Sequence, residues 1–305
     1  MKTDAALDWA PPHPTDARLT TARLRRGPGD PTQLVATDGA IWRTTLMPTG
    51  PATLRITQNR LDRILCEAWG AGAADAVASA PRMLGSGDDS SSFRPVHPVL
   101  SRAHRRFTGL RVPRTGRVME ALVPAILEQK VITLQANASW RHLLLRFGSV
   151  APGPTPRPMR VVPAAEAIRR IPSWEWHKAG VDPQRSQTIV RACRVADSID
   201  QLADLPASEA QRRLMSVPGI GVWTAAEVAQ RALGDADALS VGDYHLSDYI
   251  GHALFGRDFT DDEMIEAMEP WRGHRYRVVR LLEAEGVPGK PRRAPRAAFV
   301  DHRSH

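Results

Sequence analysis

The sequence predicts an α+β fold, a sheet-containing N-terminal domain followed by an all-α domain, on three observations. β-branched residues flank an Asp38-Gly39 turn signal. Helical periodicity fills almost everything beyond residue 98. A loop-like stretch, GSGDDSSSFRPVHP (85–98), separates the two. Alternation around a Gly turn is the signature of a hairpin, and apolar residues three and four apart are that of a helix.

Taken in order, residues 1–16 are Pro-rich and are expected to be a flexible N-terminus. Residues 17–98 are expected to form the α+β N-terminal domain. Its chain reads as extended from Arg18 to about Ile56, with QLVATDGAIWRTTLM as a hairpin, and then as a helix over 61–84 on the spacing of Leu61, Ile64, Leu65 and Trp69. Residues 99–286 are expected to be all-α. A long helical stretch covers 117–148, with Pro124 marking a start, kink or break, because proline lacks the amide that a helix interior needs. A Pro-rich connector, APGPTPRPMRVVP (151–163), follows. Helices are then expected near 164–170, 183–199, 207–215, 223–233, 243–255, 261–268 and 271–285. Residues 287–305 form a basic C-terminal tail, and no fixed-period repeat appears.

Composition narrows the class. With 305 residues and 42% hydrophobic content, the chain has material for a proper core. Lys+Arg number 41 against 33 Asp+Glu, a formal charge of +8. Only Lys2, Lys130, Lys178 and Lys290 are lysines. Arginine suits bidentate contact with phosphate, so nucleic acid is the simplest anionic partner, although genome composition explains the bias equally well. Cys66 and Cys193 are too few for a disulfide framework or a cysteine-rich metal site. The N-terminal MKTDAALDWAPPHPTD lacks the apolar segment of a signal peptide, and no stretch has the apolar length of a membrane span. A reduced, cytoplasmic protein is expected.

One short motif carries chemistry. SVPGIG (216–221) breaks a helical pattern and restarts it. Gly219 and Gly221 permit a positive φ and close backbone approach. Their amides and the N-terminus of the next helix suit one phosphate, a contact blind to base sequence. A plain helix–helix turn fits the same residues. Twenty residues past Trp223 stands a lone acid, Asp243, in VGDYHL, which by itself reads equally as a helix N-cap.

LMSVPGIGVWTAAEVAQRAL followed by VGDYHL resembles the helix–hairpin–helix DNA glycosylase superfamily. ALVPAILEQKV (121–131) and EPWRGHRYRVVRLLEAEG (269–286) are similar to two further stretches of that family, whose bacterial 3-methyladenine DNA glycosylase II type is the nearest in pattern. The resemblance covers roughly residues 85–286. It implies a helix–hairpin–helix glycosylase domain and the excision of alkylated bases, 3-methyladenine and 7-methylguanine among them, from duplex DNA in base excision repair. It makes Asp243 the catalytic carboxylate, stabilising positive charge on the sugar and activating water. The target base is flipped out of the stack.

By the same resemblance Trp223, Tyr244, Glu227 and Gln129 are expected at the base pocket. Pro218, Gly219, Gly221, Thr224 and Lys130 are expected against DNA. A monovalent cation, Na+ or K+, on the carbonyls of Met215, Val217 and Ile220 is implied, with no cofactor for catalysis and no iron–sulfur cluster. Bifunctional relatives carry a lysine nucleophile where this chain has Trp223, so no strand cleavage is expected. A monomer acting on damaged double-stranded DNA is the expected form.

The chain departs from the family pattern in the pocket. Glu227 stands where an aromatic ring stacks on the base, and Arg277 or Arg280 stands at a second aromatic position. Other aromatic candidates are Trp174 and Trp176. RAHRRF (102–107) and RGHRYR (272–277) read as phosphate-contacting surfaces or as salt-bridged helix faces. Lys130 is either a phosphate or abasic-site contact or a solvated lysine. The alternatives are a non-catalytic DNA-binding protein with an altered pocket and a glycosylase for deaminated or oxidised bases.

Overall fold

A computed structural model describes residues 2–290. The tail expected over 287–305 therefore lies mostly outside the described residues. The chain begins with β1 (Ala5–Trp9), α1 (Ala17–Thr21), β2 (Gln33–Val35), β3 (Ile41–Met47), β4 (Gly50–Arg60), β5 (Arg63–Trp69) and α2 (Ala73–Met83). The strands form one antiparallel sheet in the order β1-β5-β4-β3-β2. The predicted turn joins β2 to β3. Gly39 adopts φ +83°, and Asp38 Oδ1 accepts from the Ala40 amide at 3.0 Å, which fixes the reversal.

Three expectations fail here. The segment 63–69 is strand, not helix. Leu61 and Leu65, which drew the helical stripe, are 40% and 37% exposed, while Ile64, Cys66 and Ala68 point inward with a period of two. Pairing with strands on both sides outweighs local periodicity. Residues 5–9 are strand rather than loose chain, because β1 completes that edge, Leu7 opposite Cys66. The stretch from Arg18 is also not extended throughout, since Asp16 Oδ1 caps α1 through the Leu19 amide.

Both faces of the sheet are covered. One packs Ala52, Leu54, Ile56 and Ile64 on Ala76, Val77, Ala80 and Met83 of α2. On the other, Trp42 and Trp69 stack with centroids 5.5 Å apart, beneath Ala151, Met159 and Val161. The last three belong to the Pro-rich connector, whose two-residue strands β6 (Ser149–Val150) and β7 (Arg160–Val161) pair with each other.

The helices then follow: α3 (Pro98–Arg106), α4 (Val118–Leu127), α5 (Thr133–Phe147), α6 (Ala165–Arg169), α7 (Ser173–Lys178), α8 (Pro183–Arg194), α9 (Ala196–Asp200), α10 (Ala207–Leu214), α11 (Val222–Val228), α12 (Leu246–Ile250), α13 (Asp261–Ala267) and α14 (Arg275–Glu285). Their starts are chemically marked. Asp182 caps α8 with Pro183 at its first turn, and Thr260 and Glu263 form a reciprocal capping box on α13. Pro124 does not interrupt α4. The break falls at Glu128–Ile132, where Lys130 takes φ +56°.

Two apolar clusters divide these helices. Leu122, Ile126, Leu144, Ile189, Leu214 and Val228 centre one, built on α4, α5, α8, α10 and α11. Leu100, Ile250, Met264, Trp271, Val278 and Leu282 centre the other, built on α3 and α12 to α14. The linker from α11 through Asp243 to α12 passes between them, and this places the site.

Candidate functional site

The hairpin SVPGIG is exposed at Pro218, Gly219 and Gly221. Gly219 is required: its φ is +97°, and a Cβ there would lie 2.3 Å from Thr188 Oγ1. Gly221 is not required in that sense, since its φ is −104° with open space around it. It serves as the N-cap of α11. The carbonyl of Val217 accepts from the Ile220 amide at 3.0 Å, and Arg191 reaches the Pro218 carbonyl at 3.4 Å.

Gln129 braces this turn from the loop after α4. Its Nε2 donates to Gly219 O at 3.0 Å and to Thr224 Oγ1 at 2.8 Å. Gln129 is therefore a buttress of the hairpin, and Thr224 is buried behind it rather than presented to a ligand. The next residue, Lys130, is exposed beside the turn in a left-handed conformation, which costs about 1–2 kcal/mol for a residue with a Cβ. Such strain persists only where the surroundings impose it.

Asp243 is half-buried. Its Oδ2 accepts from Trp223 Nε1 at 3.1 Å, and its Oδ1 accepts from the amides of His245 and Leu246 at 2.9 and 3.1 Å. One carboxylate thus caps the entry to α12 and joins it to the first turn of α11. The capping reading of Asp243 is present in this geometry. The carboxylate forms no ion pair among the described residues.

No family model matches the chain. A Mycobacterium tuberculosis protein described as a probable bifunctional transcriptional activator/DNA repair enzyme AlkA is 29% identical over 219 residues, 68% of this chain and 43% of that protein. A Bacillus subtilis DNA-3-methyladenine glycosylase is 27% identical over 180 residues, 57% of this chain and 59% of that protein. The chain spans about half the length of the curated relatives it matches. Among solved structures, a 3-methyladenine DNA glycosylase from Archaeoglobus fulgidus superposes with a TM-score of 0.76 at 20% identity, over 92% of this chain and 98% of that one. An 8-oxoguanine glycosylase/lyase from Clostridium acetobutylicum gives 0.70 at 9% identity, over 93% and 100%.

The chain is thus similar in sequence to proteins described as DNA repair glycosylases, and it shares the fold of the solved glycosylases, with the antiparallel sheet preceding the helices.

The residues expected at a base pocket sit differently from the expectation. Glu227 does not face open space. Its Oε2 takes a 2.7 Å ion pair from Arg231 one turn along, and its Oε1 accepts from Ser240 Oγ at 2.7 Å. Burial pushes this carboxyl up, but Arg231, the Ser240 hydroxyl, Arg23 and Arg26 outweigh burial and hold it below the usual carboxylate range. Arg26 pairs with Glu128 at 2.6 Å, and Arg23 pairs with Glu283. None of these partners lies near Glu227 in sequence except Arg231, so sequence reasoning missed the cluster. An acid and an arginine four apart on a helix were its one visible sign.

Tyr244 is 89% exposed and sits edge-on to His245, so it lines no enclosed pocket. Trp176 is core, donating to Ile171 O, whereas Trp174 is exposed. The two basic stretches are largely committed elsewhere. Arg102 and Arg106 hold Glu285, Arg275 holds Asp237, and Arg277 is buried against Asp88. His274 accepts from Arg277 Nε and bonds Ser92; burial, with Arg277 beside it, holds its pKa below the ordinary histidine value. Cys66 and Cys193 are both buried, and burial pushes each thiol up to about 12. No described helix is long and apolar enough to cross a membrane.

Proposed function

We propose that this chain is a monofunctional DNA glycosylase. It hydrolyses the N-glycosidic bond of a damaged base everted from duplex DNA, in base excision repair. The alkylated bases named in its relatives are the first class to assay. One observation carries the reading: a carboxylate free of any described ion pair is held between Trp223 and α12, beside an exposed Pro-Gly turn. Breaking the bond builds cationic character on the deoxyribose. A fixed anion in a site that excludes water stabilises it, and the same oxygen orients the attacking water. The Trp223 indole and the two amides hold the carboxylate in one orientation.

The hairpin grips the strand through backbone groups at Gly219 and Gly221, with Lys130 beside it. Carbonyls at Met215, Val217 and Ile220 suit a monovalent cation, since Val217 O keeps a second lone pair beyond its bond to Ile220. Such an ion supplies positive charge next to a phosphate. Trp223 in place of a lysine supports hydrolysis without strand cleavage.

The test is base release from methylated duplex DNA, with Asp243→Asn as the comparison. Release that persists undiminished in the variant removes Asp243 from the mechanism. DNA binding without release of any damaged base favours the non-catalytic DNA-binding protein instead.

A further inference from the structure

We infer that the base pocket takes an uncharged base bearing a carbonyl oxygen, in preference to the positively charged N-methylpurines. This deepens the glycosylase reading and rests on it. Trp223, Glu227 and Arg231 lie at successive four-residue steps on one face of α11 and its continuation, so the face runs inward from Asp243. Ser240 ties the same line together: its carbonyl accepts from the Asp243 amide at 3.1 Å while its hydroxyl donates to Glu227. A base attached to a sugar at Asp243 therefore points along a wall that ends in guanidinium groups.

The other walls agree. From α14 come Tyr276, Arg280 and Glu283, and from the chain after α1 come Arg23 and Arg26. Tyr276 lies within electrostatic reach of both Arg23 and Arg231. Four arginines, Arg23, Arg26, Arg231 and Arg280, face three carboxylates, Glu128, Glu227 and Glu283. Asp243 stands at the sugar end; at the base end beyond it the excess is positive, which repels a cationic base and attracts a carbonyl oxygen. Three donor atoms lack acceptors. Arg280 Nε and Nη1 and Tyr276 Oη are buried with no hydrogen-bond partner, although Arg280 Nη2 donates to Leu19 O at 2.9 Å and Nε lies 3.4 Å from a Glu283 oxygen. Buried donors are rarely left unpaired, and a carbonyl-bearing base supplies what they lack. Entry requires the Arg23–Glu283 pair to part, and its side chains are 45% and 31% exposed.

The experiment is single-turnover release from duplexes carrying hypoxanthine, 8-oxoguanine, uracil or 7-methylguanine, with loss from the Asp243→Asn protein subtracted. 7-Methylguanine shares a carbonyl but carries the positive charge, so it isolates the charge. The expected result is that at least one uncharged base leaves about 10-fold or more faster than 7-methylguanine. Tyr276→Phe then slows that base by about 10-fold with no fall in melting temperature, since it deletes only an unpartnered hydroxyl. Equal or faster release of 7-methylguanine overturns the pocket assignment and leaves the glycosylase reading standing. An unchanged rate in Tyr276→Phe overturns the part assigned to that hydroxyl. No release from any duplex, 3-methyladenine DNA included, sinks both readings.

Discussion

Asp243→Asn separates charge from shape. An asparagine oxygen still accepts from the His245 and Leu246 amides, so the entry to α12 survives. The substituted amide nitrogen then meets the Trp223 indole N–H, donor against donor, where a 3.1 Å bond stood. Leaving that half-buried donor unmatched costs about 1–3 kcal/mol of stability. The rate effect is larger, because the fixed charge opposite the developing cation is gone. Loss of one such electrostatic group lowers turnover by about 10²–10³. Single-turnover base release under excess protein reads the rate, and thermal unfolding reads the stability. Trp223→Phe is the companion, keeping the carboxylate while removing the donor that aims it, with a fall of about 10-fold expected. If Asp243→Asn releases base within about threefold of the native rate while Trp223→Phe is inactive, the carboxylate is a cap and nothing more.

The hairpin glycines should behave oppositely: Gly219→Ala, which meets both positive φ and Thr188, is expected to cost about 2 kcal/mol or more and to weaken DNA binding, while Gly221→Ala is expected near neutral by melting temperature and gel shift. Glu227→Gln strips the partner from buried Arg231, a loss of about 3–5 kcal/mol by denaturant unfolding. Glu227 is also held below its unfolded value of about 4.3, so it binds its proton more readily when unfolded. Its stabilisation is complete above that value and is lost as pH falls towards the lower folded pKa, a slope that Glu227→Gln should remove. His274, likewise lowered, is held neutral, so stability should begin to fall as pH drops below about 6.5, with the dependence flattened in His274→Gln.

Local chemistry was legible in the sequence and long-range pairing was not. The 216–221 turn announces itself through Pro218 and two glycines, and helices are expected near 183 and 261, where α8 and α13 begin. The strand at 63–69 was hidden because Leu61, Ile64, Leu65 and Trp69 also satisfy a helical period. Only its neighbours β1 and β4 decide between the two. Asp243 was visible because its setting resembles a family motif, but its bond to Trp223 is a matter of folding. The arginine cluster was least legible. Glu227 finds Arg231 one turn away, yet Arg23 and Arg26 arrive from two hundred residues earlier, and nothing in their surroundings marks them for this cluster.

That arrival has a consequence for how the molecule can be dissected. Arg23 and Arg26 leave the first helix to hold Glu283 and Glu128, while Arg231 Nε donates to the Arg23 carbonyl at 3.1 Å. The opening segment thus ties together two helical clusters that the chain also links between α3 and α4 and between α11 and α12. A truncated protein lacking it would leave Glu128 without its arginine and Glu283 with Arg280 alone, so the rear portion could not be studied by itself as it stands in the whole.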